Sequence, residues 1–111
     1  MILLPQIPPT FEIGQIVRHR RYGYRGVIVA YDLTCQAPES WYQNNQTQPD
    51  RFQPWYHVLV HRSSEATYTA ESNLKEEQLL HPISHALIEQ FFHNFDGVRY
   101  VRNATSWPGW E

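Results

Sequence analysis

The run Trp55-Tyr56-His57-Val58-Leu59-Val60-His61-Arg62, entered through Pro54, constrains this chain more than any other stretch. It is mostly aromatic or β-branched and free of glycine and proline, which reads as a buried strand. Alternation places Trp55, His57, Leu59 and His61 on one face and Tyr56, Val58 and Val60 on the other. Ser63-Ser64-Glu65 then turns the chain, and Ala66-Thr67-Tyr68-Thr69-Ala70 returns as the partner strand. The chain therefore has to build a sheet.

Two more strands come earlier. Phe11 to Arg20 alternates loosely around Ile13, Ile16 and Val17, and the run Val27-Ile28-Val29-Ala30-Tyr31 is short and apolar. Between them Tyr22-Gly23-Tyr24 marks a tight turn, because glycine tolerates positive φ. The predicted strands are about 15–20, 25–32, 55–62 and 66–70, with Gln78-Leu79-Leu80 as a short fifth. Near residue 82 the period changes from two to about 3.6. Pro82 opens a helix predicted over 83–95, with Ile83, Leu87, Phe91 and Phe95 spaced by four and Gly97 at the stop position. Its apolar stripe is expected to cover the open side of the sheet.

Three segments stand outside this frame. Residues 1–10 are a proline-rich lead-in. Residues 33–54 form a long polar insertion with an island at Trp41-Tyr42; its stretch 43–50 offers nothing to bury. The tail Trp107-Pro108-Gly109-Trp110 is expected to fold back as an anchor, since two exposed indoles invite aggregation.

The 111 residues suit one domain, here 11–111, and 4 Trp, 7 Tyr and 5 Phe favour a β-rich one. Cys35 is the only cysteine, so no intrachain disulfide forms and a reducing, cytoplasmic setting is expected. Met1-Ile2-Leu3-Leu4 is broken at once by Pro5, Pro8 and Pro9, so it does not read as a signal peptide. No stretch approaches the ~20 apolar residues of a membrane span.

The net charge of −2 is an awkward start for nucleic-acid binding. Its distribution is more informative. Arg18, Arg20, Arg21 and Arg25 fall within eight residues that contain no acid, with Tyr22 and Tyr24 among them. Arginine grips phosphate bidentately and tyrosine stacks on an unpaired base, so these six residues are the candidate DNA- or phosphate-binding site. The plain alternative is a solvated turn with both tyrosines packed on the body. Six histidines would turn the net charge positive near pH 6 if unperturbed.

Other chemistry has little support. His57 and His61 share a strand face, and His81 and His85 share helical spacing, but no third ligand sits at metal spacing. Cys35 lies in the polar insertion, where an exposed, oxidisable thiol is expected, yet no nucleophile signature surrounds it. There is no phosphate-binding glycine loop and no nucleophile elbow. No catalytic residue, cofactor, metal or small-molecule substrate is predicted.

Several blocks resemble one family. Phe11-x-Ile13-Gly14-Gln15-x-Val17-x-His19-x-Arg21-Tyr22-Gly23-Tyr24-Arg25-Gly26-Val27-Ile28 resembles the opening of the YccV/HspQ (hemimethylated-DNA-binding) domain. Pro54 to Val60 and Tyr68-x-Ala70-Glu71-x-Asn73-Leu74 do likewise. His81-Pro82, Phe92-x-x-Phe95-Asp96-Gly97-x-Arg99-Tyr100, Asp32-x-Thr34-Cys35 and Trp41 resemble its longer subtype, found in F-box and chloroplast Clp-adaptor proteins. The resemblance spans about 11–108. It implies a small, all-β, SH3-like barrel of about five strands without cofactor or enzymatic activity. It also implies one of two functions: binding of hemimethylated DNA, or service as an adaptor or specificity factor for an ATP-dependent protease. The short heat-shock members lack the basic residues at 20 and 21 and most of the 33–54 insertion.

Overall fold

In the computed structural model, which describes residues 8–109, the β-rich runs of the sequence become one five-stranded antiparallel sheet. The strands are β1 (Ile16–His19), β2 (Arg25–Asp32), β3 (Trp55–Val60), β4 (Ala66–Ala70) and β5 (Leu74–Glu76), in the order β4-β3-β2-β1-β5. The four main strands lie where the alternation puts them. The fifth is at Leu74–Glu76, paired with β1, and not at 78–80. Burial explains the difference: Leu74 is 1% exposed, while Leu79 and Leu80 face solvent.

The sheet does not close into the expected barrel. β4 and β5 are its two edges, separated by a 3-10 turn at Glu71–Asn73, and no ladder joins them. β2 is central in position and in packing. Ile16, Val27, Val29 and Leu59 form one apolar cluster, while Val17, Ile28, Tyr56, Val58 and Leu74 form another. Alternation thus gives the sheet two apolar faces, and each needs a cover.

The C-terminal segment supplies one cover, but not as a helix over 83–95. Only α2 (Ile88–Phe91) is helical, and residues Phe92–Phe95 form strand β6, which pairs with β7 (Tyr100–Arg102) as a separate hairpin. Tertiary hydrogen bonds compete with helix nucleation here. The Ile83 N–H donates to the Tyr100 hydroxyl at 2.8 Å and the Ser84 N–H donates to His61 Nδ1 at 2.9 Å. The Ser84 carbonyl accepts the Arg62 N–H at 2.9 Å and the Leu87 N–H donates to His85 Nδ1 at 3.1 Å, so groups that a first helical turn would pair are used elsewhere. At the other end Asp96-Gly97 is a hairpin turn: Asp96 Oδ1 accepts the N–H groups of Val98 and Arg99, and Gly97 has φ +99°. Phe91 and Phe92 are still buried, and Phe95 packs on Tyr100.

Gly14 joins this hairpin to the sheet. It donates to Ile28 O at 2.7 Å, accepts from the Tyr100 N–H at 2.8 Å, and has φ +90°. A Cβ there would lie 2.0 Å from Tyr100 O, so only glycine fits.

The 33–54 insertion is more built than its composition suggests. It contains α1 (Glu39–Gln43) and closes on itself through Cys35 N–H to Arg51 O and Arg51 to Ala37 O. Trp41 packs edge-on against Trp55 and Tyr68, and Asn45 and Thr47 are half-buried within the 43–50 stretch. Cys35 is buried, 8% exposed, in a cluster with Trp55, Tyr68 and Ala70, which corrects the expectation of an exposed thiol. Trp107 folds back on Phe91 and His57 as an anchor. Trp110 and most of the proline-rich lead-in lie outside the described residues. No helix among those residues is long and apolar enough to cross a membrane.

Candidate binding surface

The β1–β2 hairpin carries all six residues singled out by sequence, and its fold divides them. His19 holds the turn: its Nδ1 accepts the N–H groups of Arg21 and Tyr22 at 3.1 and 3.0 Å, and its ring stacks on Tyr22 at 4.6 Å. Burial, with the nearby Arg21 charge, holds the imidazole below its usual pKa. A neutral Nδ1 is what the two N–H donors require.

Arg18 and Arg25 turn toward one carboxylate. Glu77 Oε2 lies 2.5 Å from Arg18 Nη2 and 3.5 Å from Arg25 Nε. Burial alone would raise the Glu77 pKa, but hydrogen bonds from Arg18 and from the Leu79 and Gln78 N–H groups pull it below the usual value. Arg25 is 9% exposed and also donates to the carbonyls of Leu79 and His81. Tyr24 is half-buried, its hydroxyl 2.8 Å from Thr67 Oγ1. Arg20, Arg21 and Tyr22 remain exposed, with the Arg21 guanidinium 5.7 Å from the Tyr22 ring centroid. Arg20 donates to Leu74 O, which anchors its stem beside β5.

Beside the hairpin lies a cleft of about 510 Å³ that wraps the outer edge of β4. His19, Tyr22, Tyr24 and Asn73 line it on one side, Trp41 and Trp107 on the other. Among the described residues, no Asp, Glu, Lys or Arg lines it. Below its floor Asp32 accepts a 2.6 Å hydrogen bond from the Tyr68 hydroxyl and pairs with His57 at 3.6 Å. Burial keeps the Tyr68 hydroxyl protonated and lowers the His57 pKa, a shift that Asp32 opposes.

Sequence reasoning missed Glu77 and the cleft. Glu77 lies 59 residues from Arg18 and carries no local signal, and Thr67, Asn73 and Trp107 converge only through the fold. His81 and His85 do not share a helix face, because no helix forms there. Among the described residues, no group of three or more His, Cys, Asp or Glu could hold a metal ion.

A mostly β domain that presents an exposed basic turn beside an uncharged aromatic cleft belongs to the class of small binding modules. Residues 9–99 match the family described as hemimethylated DNA-binding protein YccV like, and the chain belongs to that family. It is 36% identical over 97 residues to "F-box only protein 21" of Homo sapiens and of Pongo abelii, and 35% identical to that of Mus musculus. These matches cover 85% of this chain but only 15–16% of each relative. The family's description names binding and no catalysis.

Proposed function

We propose that this domain binds DNA, in the hemimethylated form its family's description names, and grips the phosphate backbone through the β1–β2 hairpin. The observation that carries this is the exposure of Arg20, Arg21 and Tyr22 on one turn, with neither arginine in an ion pair among the described residues. Arginine supplies bidentate phosphate contact and Tyr22 a stacking face. Because Glu77 holds Arg18 and Arg25, two phosphate contacts are supported, giving a slope of about −1.8 in log K against log salt. A backbone grip reads no methyl group; that needs a base-edge contact in the groove.

The test is a salt titration of duplex binding, hemimethylated and unmethylated side by side, with Arg20→Ala/Arg21→Ala as the variant. The double substitution is expected to flatten the slope by ~1.8. An unchanged slope removes the hairpin from the reading, and no duplex binding at ~50 mM salt ends it.

A second reading is an adaptor that presents proteins to an ATP-dependent protease. It is favoured by Glu77, which holds two of the four arginines of the basic cluster, and by the uncharged aromatic cleft, which suits polypeptide better than phosphate. A protein complex formed through that cleft should survive salt that abolishes duplex binding. The lone buried cysteine supports placing either activity in the reducing cytoplasm.

A further inference from the structure

The β3–β4 turn carries an arginine that the fold does not use. Arg62 has φ +60°, in the left-handed region that a β-carbon disfavours and where asparagine or glycine sits with less strain. Its backbone is pinned there: the Arg62 N–H donates to Ser84 O at 2.9 Å, and the Ser84 N–H donates to His61 Nδ1 at 2.9 Å. His85 ties the far side of the turn. Its Nδ1 accepts the Leu87 N–H, so Nε2 carries the proton and donates to Glu65 O at 3.0 Å. The Arg62 side chain, by contrast, is exposed and makes no hydrogen bond or ion pair among the described residues. Neither packing nor the turn accounts for an arginine here. A strained position kept without an internal use points to a use outside the chain.

Around that guanidinium lies a shallow, open hollow lined by Arg62, Ser63, Ser64, Ser84, His85 and Ala86. No acid and no large apolar side chain lines it among the described residues. Ser63 Oγ is already engaged, donating to Val60 O at 2.9 Å and accepting the Glu65 N–H at 3.0 Å. The hydroxyls of the exposed Ser64 and Ser84 make no hydrogen bond among the described residues. One guanidinium and two hydroxyls, on backbone fixed from both sides, suit a tetrahedral oxyanion. Burial first, then the charges of Arg25 and Arg62, lower the His61 pKa, so the Arg62 charge acts across the whole turn.

We propose that this hollow takes a backbone phosphate of duplex DNA, a grip separate from the β1–β2 hairpin; the proposal rests on the DNA reading of this domain. Topology favours a duplex over a phosphorylated peptide. Gly26 pairs with Val60 at the end of the β2–β3 ladder, and the His61 N–H donates to Arg25 O at 2.9 Å, so both turns leave the same end of the sheet. Arg21 stands four residues from Arg25, and Arg62 stands next to His61. At ~3.8 Å per Cα step and ~5.5 Å across a bonded pair, the Cα atoms of Arg21 and Arg62 are no more than about 25 Å apart. One duplex turn is ~34 Å, so phosphates flanking one groove lie within that reach. A phosphoserine carries nearly two charges, and one guanidinium with two hydroxyls balances a singly charged diester better.

The test is a salt titration of a duplex of about two turns, ~20 base pairs, against the full chain, Arg62→Gln and Arg20→Ala/Arg21→Ala. Arg62→Gln removes the charge at nearly constant length, and thermal unfolding should be unchanged because the fold does not use the guanidinium. The native slope is expected near −2.7, from three contacts; Arg62→Gln should flatten it by ~0.9 and weaken binding roughly eightfold at ~0.1 M salt. Neutral methylphosphonates, placed singly along each strand, leave the protein intact and locate the contact. One position should weaken binding of the native chain and make no difference to Arg62→Gln. An unchanged slope in Arg62→Gln, beside a flattened one in the hairpin variant, overturns this proposal and leaves the hairpin reading standing. A flattened slope with no such methylphosphonate position also overturns it, as a long-range effect of charge. Flattening by Arg62→Gln alone would keep this site and remove the hairpin. A short phosphoserine peptide captured through Arg62, with duplex binding indifferent to Arg62→Gln, overturns it in favour of a phosphorylated protein. No duplex binding by the native chain at ~50 mM salt ends both this proposal and the DNA reading.

Discussion

Glu77 Oε2 sits 2.5 Å from Arg18 Nη2, with the carboxylate side chain 8% exposed and the guanidinium side chain 33%. Arg25 closes on the same oxygen from the sheet side. One buried carboxylate thus gathers two of the four arginines of the hairpin.

Glu77→Gln should therefore raise duplex affinity under the DNA reading and steepen its salt slope by up to ~0.9, as Arg18 is released while Arg25 stays tied to the Leu79 and His81 carbonyls. It should also destabilise the fold by ~1–3 kcal/mol, less than for a fully buried pair because Arg18 is a third exposed. The Glu77 pKa is depressed in the folded state, so its contribution is present above the ordinary value of 4.5 and fades as pH falls through the folded value. Urea unfolding of both proteins should show the gap closing below about pH 4.5.

His19 carries the opposite pH consequence from the one its sequence suggests. Its folded pKa is lowered, as are those of His57 and His61, so none of the three gains its proton readily at pH 6. The folded state takes up fewer protons than the unfolded chain, and stability present above pH 6.5 is lost as pH falls below it. His19→Asn keeps an acceptor for the turn amides but cannot titrate. Its stability, followed by urea unfolding from pH 7.5 to 5.5, should fall less steeply than that of the native chain.

Cys35 should react slowly with a thiol reagent in the native state and rapidly in ~6 M guanidinium, because its sulfur lies among Trp55, Tyr68 and Ala70. Equal rates would show that the insertion opens freely.

Gly14→Ala should cost at least ~2 kcal/mol, combining positive φ with a Cβ driven into Tyr100 O. Thermal unfolding should fall by at least ~8 °C in a domain of this size.

These effects also show what the sequence could reveal. Strands β1 to β4 were legible because their alternation and β-branched content agree with the tertiary structure. The C-terminal segment was not, since Phe91, Phe92 and Phe95 fit a helical stripe as well as they fit a helix–strand junction. The deciding signal, Asp96-Gly97, reads equally as a helix stop and a hairpin turn. Barrel closure was overstated because the pairing of two edges is a long-range property. In the hairpin, residue types mark a basic turn, but Glu77 lies far along the chain and its choice of partners is invisible without the fold. The cleft is of the same kind: Tyr24, Trp41, Thr67 and Trp107 are brought together only by the sheet.

The Tyr100 hydroxyl and amide together stitch residues 83 and 14, and Trp107 seals Phe91 just beyond them. The family match stops at residue 99. A fragment of this chain excised at that boundary would leave Ile83, Phe91 and Phe92 without their cover. The cooperative unit therefore extends at least eight residues past the recognised segment, and limited proteolysis should spare the chain to about residue 107.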